Sequence, residues 1–291
     1  MNIIVIGKSG QVASELALLA TEGLSITCLG RDDIDLLEPD SIRDKLEKLD
    51  VDAIINASAY TAVDLAETEQ AGAFGLNATA VANLADYCKS RQCYFLHVST
   101  DFVFDGQKSS PYRVEDLVNP LGVYGASKAE GENLIWKLHP ELSGIVRTSW
   151  VYSTFGNNFV KTMLRLMADK QELGIVGDQI GTPTNARFLA EVLIKMAQQK
   201  LVGLFHWTDA GVASWYDFAV AIQELSVEKG LLSKSIPIHS IATKDYPTPA
   251  KRPSYSVLDK SKILAECKDV DIQHWRKQLS EMLDQLQSVQ Q

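Results

Sequence analysis

The chain is expected to fold as an α/β protein with a doubly wound parallel sheet and a smaller C-terminal lobe. Three stretches carry that expectation. Asn2–Ile6 is an unbroken apolar run that stops at Gly7, the pattern of a strand buried on both faces of a parallel sheet. Straight after it, Gly7-Lys8-Ser9-Gly10-Gln11-Val12-Ala13 reads as a tight turn opening a helix marked by Glu15, Leu16, Leu18 and Leu19. Further on, Tyr124-Gly125-Ala126-Ser127-Lys128 begins another helical stretch and sets a phenol and an amine four residues apart, on one face.

Taken in order, the first turn has glycines at 7 and 10, which let a pyrophosphate approach the backbone while the helix N-terminus supplies amide donors. Gly7, Ser9, Gly10, Gln11 and Val12 are therefore candidate dinucleotide contacts. A second strand, Ser25–Leu29, runs into Gly30-Arg31-Asp32. At that place a carboxylate accepts from a ribose 2′-hydroxyl and an arginine pairs with a 2′-phosphate. Arg31 favours NADPH; the adjacent Asp32 keeps NADH open. Asp35 and Leu36 follow in a position suited to flank the adenine. A helix over residues 41–49 leads to the strand Ala53–Asn56, whose end carries the small residues Ala57, Ser58 and Ala59, so that a cofactor can pass close. Residues 67–91 read as one helix, with Asn77 as a surface or capping amide.

The strand over residues 94–98 ends at Ser99-Thr100-Asp101-Phe102. A hydroxyl at the C-terminal end of a parallel strand faces the crevice where ligands bind. Thr100 is the candidate for a hydrogen bond to a substrate carbonyl, with Ser99 as its rival because alternation sends the two to opposite faces. Lys128, if its charge lies beside Tyr124, favours the phenolate and lowers the phenol's pKa. Proton exchange with a substrate oxygen then becomes possible near neutral pH, which is the chemistry of carbonyl reduction. A surface tyrosine and lysine at common helical spacing is the bland alternative.

The second half continues with a strand at 144–146, a helix at 160–168, a glycine- and proline-bearing loop at 178–184, the helix Ala186–Gln199 and a strand at 204–207. Ser214 is placed to cap a helix over 215–229. A strand at 236–241, a proline-rich segment at 246–253 and a last helix at 273–287 close the chain. Residues 1–150 and 186–235 are assigned to the dinucleotide-binding domain, and 151–185 and 236–291 to the substrate-binding lobe.

Composition sets outer bounds. The chain has 291 residues, 46% hydrophobic and 22% charged, ample for a packed core without staples. Its 28 basic and 37 acidic residues leave a formal net charge of -9, which argues against nucleic acid or an anionic membrane as the main partner. Cys28, Cys88, Cys93 and Cys267 form neither a C-x-x-C pair nor a regular framework, so they are expected as reduced thiols of a cytoplasmic protein. The N-terminus shows no basic segment followed by a long apolar run, so no signal peptide or membrane span is read.

Several longer stretches narrow the reading. They are Asn77-Ala78-Thr79, Ser99 through Gly106, Tyr124 through Glu132, Arg147-Thr148-Ser149-Trp150-Val151-Tyr152, Gly156-Asn157-Asn158-Phe159, Asp178-Gln179-Ile180-Gly181-Thr182-Pro183-Thr184 and Arg252-Pro253-Ser254. On these the sequence resembles the extended short-chain dehydrogenase/reductases, whose fold is Rossmann-like, and within them the dTDP-4-dehydrorhamnose reductase family. The resemblance implies NAD(P)H-dependent reduction of the 4-keto group of dTDP-4-dehydro-β-L-rhamnose. It implies Tyr124 as general acid and Lys128 as the group that holds the nicotinamide ribose and tunes the phenol. Thr100 would orient the ketone, Asp101 would lie against the sugar and Trp150 would pack on it. Asn158 is counted with the substrate contacts, and Arg252 with the diphosphate. A homodimer is also implied.

Some relatives hold a metal between subunits with acidic side chains. Here Arg187 follows the Pro-Thr motif where a ligand would be wanted, and Glu15 and Glu191 read as helix-surface charges, so no metal is expected. A related epimerase or dehydratase, or a non-catalytic subunit on the same fold, are the rival readings. Dehydratases usually carry an acidic pair beside the threonine, whereas Thr100 is followed by Asp101 and Phe102.

Overall fold

The computed structural model describes residues 1–290. Strand β1 (Asn2–Ile6) feeds helix α1 (Gln11–Ala17), and β2 (Ser25–Leu29), α2 (Pro39–Leu46) and β3 (Ala53–Asn56) follow. The short helices α3 (Val63–Ala66) and α4 (Gln70–Phe74) run through a π-helical turn at Gly75–Thr79 into α5 (Ala80–Arg91). Then come β4 (Tyr94–Thr100), α6 (Val123–Leu138), β5 (Ser143–Thr148), β6 (Val151–Tyr152) and α7 (Phe159–Asp169). The remainder is β7 (Leu173–Val176), β8 (Ile180–Gly181), β9 (Thr184–Asn185), α8 (Ala186–Gln199), β10 (Gly203–His206), β11 (Ala213–Ser214), α9 (Trp215–Glu228), β12 (Ile238–Ile241), α10 (Ser261–Glu266) and α11 (Trp275–Gln290).

Six strands form one parallel sheet in the order β10-β5-β4-β3-β1-β2. Alternation along β1 splits its side chains between two cores. Ile3 and Val5 pack under α1 and α8 with Leu16, Leu189 and Leu193; Ile4 and Ile6 pack under α2 and α5 with Ile42, Leu46 and Leu84. Each such side chain, fully buried, contributes about 1.5–3 kcal/mol. That burial on both faces is why these strands read as continuous apolar runs. The order reverses between β1 and β3, so the chain ends there part to opposite sides and leave a crevice. Gly7 sits at that point with φ +116, and a Cβ on it would come within 3.0 Å of the Ala57 carbonyl and the Ser58 nitrogen. Only glycine fits.

The helix expected over 67–91 is instead broken. Asn77 lies in the π turn, wholly buried; its Oδ1 accepts from Tyr60 N at 2.8 Å, and its Nδ2 donates to Tyr60 O at 3.1 Å and to Ser127 Oγ at 3.0 Å. The extra residue of a π turn turns that amide inward, and α6 comes so close that a Cβ on Gly131 would fall 2.2 Å from Asn77 O. Helix α2 begins two residues before the expected 41, because Pro39 has the backbone angle of a first helical position. β12 starts at Ile238 and not at 236, since Pro237 has no N–H for the ladder; its carbonyl still accepts from Leu173 N at 3.0 Å.

A third core holds α7, α9 and α11 together through Met163, Met167, Phe218, Ile222, Leu279 and Leu283. Helix α9 and Leu232, within the 186–235 stretch, pack in this third core. Helix α8 stays with the parallel sheet. Glu15, read as a surface charge, is 3% exposed and accepts from Ser153 Oγ at 2.5 Å, tying α1 to the segment after β6. Glu191 pairs with Arg187 on α8 at 3.2 Å. No helix among the described residues is long and apolar enough to cross a membrane.

Beneath the crevice, Ser99 Oγ donates to Glu132 Oε1 at 2.5 Å, and Arg147 holds the same carboxylate through Nε at 2.9 Å and Nη2 at 2.6 Å. Both ions are buried and join α6 to β5. Arg147→Met should leave Glu132 uncompensated and lower the free energy of unfolding by about 3–5 kcal/mol, whereas pairing it with Glu132→Leu should restore most of the loss. Urea unfolding of the three proteins checks this, and equal stability of the single and double variants would overturn it.

Candidate active site

A cleft of about 1110 Å³ opens over the C-terminal ends of β1, β3, β4 and β5. It brings together nearly every residue singled out from sequence. One end is walled by Gly7, Ser9, Gly10, Gln11 and Val12, by Arg31, Asp35 and Leu36, and by Ala57, Ser58 and Ala59. At the other end lie Thr100, Asp101, Tyr124, Lys128, Trp150 and Arg252. Gly10 occupies the N-cap of α1 with no side-chain cap, so the helix's first amides face the crevice unscreened. The bare turn fits the pyrophosphate of a dinucleotide.

Asn158 is the exception. Its Oδ1 caps α7 by accepting from Lys161 N at 3.1 Å, and its Nδ2 donates to Gln11 Oε1 at 2.9 Å and to Ser153 O at 2.7 Å. The neighbour Asn157 lines the cleft instead. Arg252 does reach the cleft, but its fork is engaged by Asp64, at 3.1 Å from Nη1 and 2.8 Å from Nη2. Trp150 adopts φ +47 and stacks on Trp215, ring centroids 3.6 Å apart and 10° from parallel. Trp215 went unnoticed in the sequence, since nothing local marks a stacking partner 65 positions away.

Strand alternation gives the two hydroxyls different partners. Ser99 is bound to Glu132, while Thr100 Oγ1 donates to Asp101 Oδ1 at 3.1 Å, accepts from Phe102 N at 3.2 Å and stands beside the Tyr124 phenol. Tyr124 and Lys128 occupy one face of α6, as their spacing requires. The electrostatics, however, differ from expectation. Burial pushes the Tyr124 phenol up to about 12, with Thr100 opposing and Asp101 reinforcing the rise; Lys128 does not lower it. The reason is where the amine points. Lys128 Nζ lies 3.0 Å from His97 Nε2 and donates to Val98 O at 2.7 Å. Burial draws Lys128 down to about 8, against the pull of Glu132. Asn77, read from sequence as a surface or capping amide, is fully buried, and so is His97, which sequence reasoning gave no part in the site; a polar residue inside an apolar strand run was the available signal for His97.

Chemically, the cleft joins a bare phosphate cradle to a proton donor four residues from an amine. That defines a nicotinamide-dependent enzyme of the extended short-chain dehydrogenase/reductase class. Comparison with known proteins narrows the class: the RmlD substrate binding domain family matches residues 1–288, and the chain belongs to the dTDP-4-dehydrorhamnose reductase family. A dTDP-4-dehydrorhamnose reductase of Aggregatibacter actinomycetemcomitans is 42% identical over 270 residues, covering 90% of this chain and 92% of that protein. Among solved structures, a dTDP-4-dehydrorhamnose reductase of Clostridium acetobutylicum superposes with a TM-score of 0.92 at 37% identity, covering 99% of this chain and 100% of that one. One of Bacillus anthracis, in complex with NADP, superposes at 0.91 and 29% identity, covering 98% and 99%.

Asp101 is buried, and burial raises its pKa to about 6 against the opposing hydrogen bonding of Ser256 and Thr100. Because the unfolded carboxyl titrates near 3.9, the native state binds the extra proton between the two values, and stability falls as pH rises through that window. Asp101→Asn should remove this decline and stabilise the protein at neutral pH by ~2 kcal/mol. Urea midpoints measured across the window check it; parallel pH profiles for both proteins would show that the carboxyl is not raised.

Proposed function

We propose that the protein reduces the 4-keto group of dTDP-4-dehydro-β-L-rhamnose to dTDP-β-L-rhamnose, with NADPH as reductant. The observation that carries the reading is the convergence of Thr100, Tyr124 and Lys128 at one end of a cleft whose other end is the glycine-rich turn. The activity named for the similar reductases supports the substrate, and the NADP complex of the Bacillus anthracis relative supports the cofactor. When bound, the nicotinamide supplies the hydride for the sugar's C4.

The chain's own residues do the rest. Tyr124 donates its proton to the oxygen that becomes the new hydroxyl, and its raised pKa keeps that proton in place until negative charge develops. Thr100 donates to the same oxygen by releasing Asp101. Asp101 accepts from a sugar hydroxyl, and Trp150 offers a ring face to the sugar. Arg252 turns from Asp64 to the diphosphate, exchanging one bidentate anion for another. Asn158 acts at one remove, by holding Gln11. The net charge of -9 supports a small-molecule partner and not nucleic acid, four free thiols support a cytoplasmic setting, and a homodimer follows from the family resemblance.

The direct test supplies purified protein with freshly generated keto-sugar nucleotide and NADPH or NADH. Oxidation of cofactor with formation of dTDP-rhamnose is expected; folded protein that binds NADPH and turns nothing over would sink the reading. Tyr124→Phe should cut kcat by about 10²–10⁴-fold with cofactor affinity kept. Arg31→Ala should raise the KM for NADPH by about tenfold or more and leave that for NADH nearly unchanged, the difference being one charge-assisted contact. Equal changes for both cofactors would remove the 2′-phosphate assignment.

A further inference from the structure

Behind Lys128 a row of buried polar side chains runs through His97 and Asn56 to Ser58, and its hydrogen-bond directions are fixed from the far end. The Ser58 N–H, which can only donate, reaches Asn56 Oδ1 at 3.0 Å, and the Ser58 hydroxyl donates to the same oxygen at 2.7 Å. That orients the amide, so Asn56 Nδ2 faces His97 Nδ1 at 3.1 Å. An amide nitrogen only donates; Nδ1 must therefore accept, and a neutral imidazole accepting at Nδ1 carries its proton on Nε2. His97 is neutral, since burial, and then Lys128, hold its pKa well below the ordinary value.

The Nε2 proton thus points at Lys128 Nζ, 3.0 Å away. An ammonium, with three N–H groups and no lone pair, would set hydrogen against hydrogen there. An amine accepts from His97 and still donates to Val98 O. Around Lys128 the remaining titratable groups are Tyr124 and Glu132 on its own helix, one turn to either side, Arg147 of β5 paired to Glu132, and Asp101 at the end of β4. Of these, Glu132 favours the cation, and burial outweighs it.

We propose that Asn56 and His97 are positioning residues for Lys128: by fixing the imidazole proton on Nε2 they bias Lys128 towards the amine in the cofactor-free protein, so that at alkaline pH, where the amine predominates, NADPH binding draws one proton from solvent onto Nζ. The inference rests on the reading of Lys128 as the cation that grips the nicotinamide ribose. The balance is simple: one proton leaves the buffer, Nζ becomes an ammonium, and no other bond changes. Once charged, Nζ turns from His97 towards the cleft. NADPH affinity should consequently weaken with rising pH above about 8, by up to about tenfold per pH unit.

The test uses the full chain with isotope-labelled histidine and lysine. In cofactor-free protein, nitrogen spectra should show His97 as the Nε2–H tautomer, and Lys128 should titrate near or below pH 8. Calorimetry with NADPH at about pH 9, in two buffers of different ionisation heat, should show uptake approaching one proton. Asn56→Asp places an acceptor opposite Nδ1, which moves the His97 proton there and offers Nε2 to the ammonium. Lys128 should then titrate at least about one pH unit higher and proton uptake should fall severalfold. His97→Gln, whose amide can turn its oxygen to Lys128, should act alike and serves if the aspartate variant does not fold. An Nδ1–H tautomer in the unaltered protein, or unchanged uptake in both variants, would overturn the proposal, as would absence of NADPH binding at any pH. Proton-linked NADPH binding without turnover of the keto-sugar would sink the reductase reading alone.

Discussion

The closeness of α6 to the end of β4 is the constraint on which the site depends. The helix carries both the phenol and the amine, so any rise of the helix from the sheet lifts the two together from the crevice. Its approach is set by backbone contact at Gly131 against Asn77 O, and by buried polar ties on either side. On one side Ser127 accepts from Asn77; on the other Glu132 accepts from Ser99 and pairs with Arg147. Buried donors and acceptors that lose their partners cost far more than paired ones gain, so these ties define one height for the helix and penalise every other. The π turn has the same origin, because a regular helix would not turn the Asn77 amide into that gap.

Burial works in the same sense on four buried titratable groups at the catalytic end of the cleft. It raises Tyr124 to about 12 and Asp101 to about 6, and lowers Lys128 to about 8 and His97 further below its usual value. All four move towards their neutral forms. In such buried surroundings a charge added by a ligand acts at low dielectric, where it is felt strongly. The expectation that Lys128 tunes Tyr124 assumed a charged lysine facing the phenol. In the structure the amine faces His97 and Val98 O instead.

What was legible in the sequence follows from how far each signal travels along the chain. Strands β1 and β3 could be read because burial on both faces writes itself into consecutive residues. The glycine-rich turn could be read because its geometry is local. The break within 67–91 could not, since it is imposed by Tyr60 and Ser127, 17 and 50 positions from Asn77. Glu15 looked like a surface charge until Ser153, 138 positions away, closed over it. Asn158 and Asn157 are indistinguishable in composition, and only the cap of α7 decides which of them turns to the cleft. Helix α9 shows the same limit: its amphipathic pattern announces a buried face without saying which core receives it.

The same distinction bears on the choice of cofactor at the end of β2. The run Arg31-Asp32-Asp33 offers a cation and two carboxylates, and the sequence leaves open which of them meets the ribose. In the structure Asp33 Oδ2 accepts from Gly30 N at 2.9 Å and pairs with Lys8 at 3.5 Å, while its Oδ1 faces Lys45 at 3.9 Å. Asp35 Oδ1 accepts from Leu37 N at 2.9 Å, and Asp32 lies outside the cleft wall. The nearby carboxylates are thus occupied or turned away, whereas Arg31 stands at the wall with no ion-pair partner among the described residues. A 2′-hydroxyl would find Asp33 engaged and Asp32 outside the wall, with one oxygen of Asp35 already accepting from Leu37 N. A 2′-phosphate would find at Arg31 a guanidinium fork without an ion-pair partner among the described residues, and a fork of that kind binds phosphate bidentately.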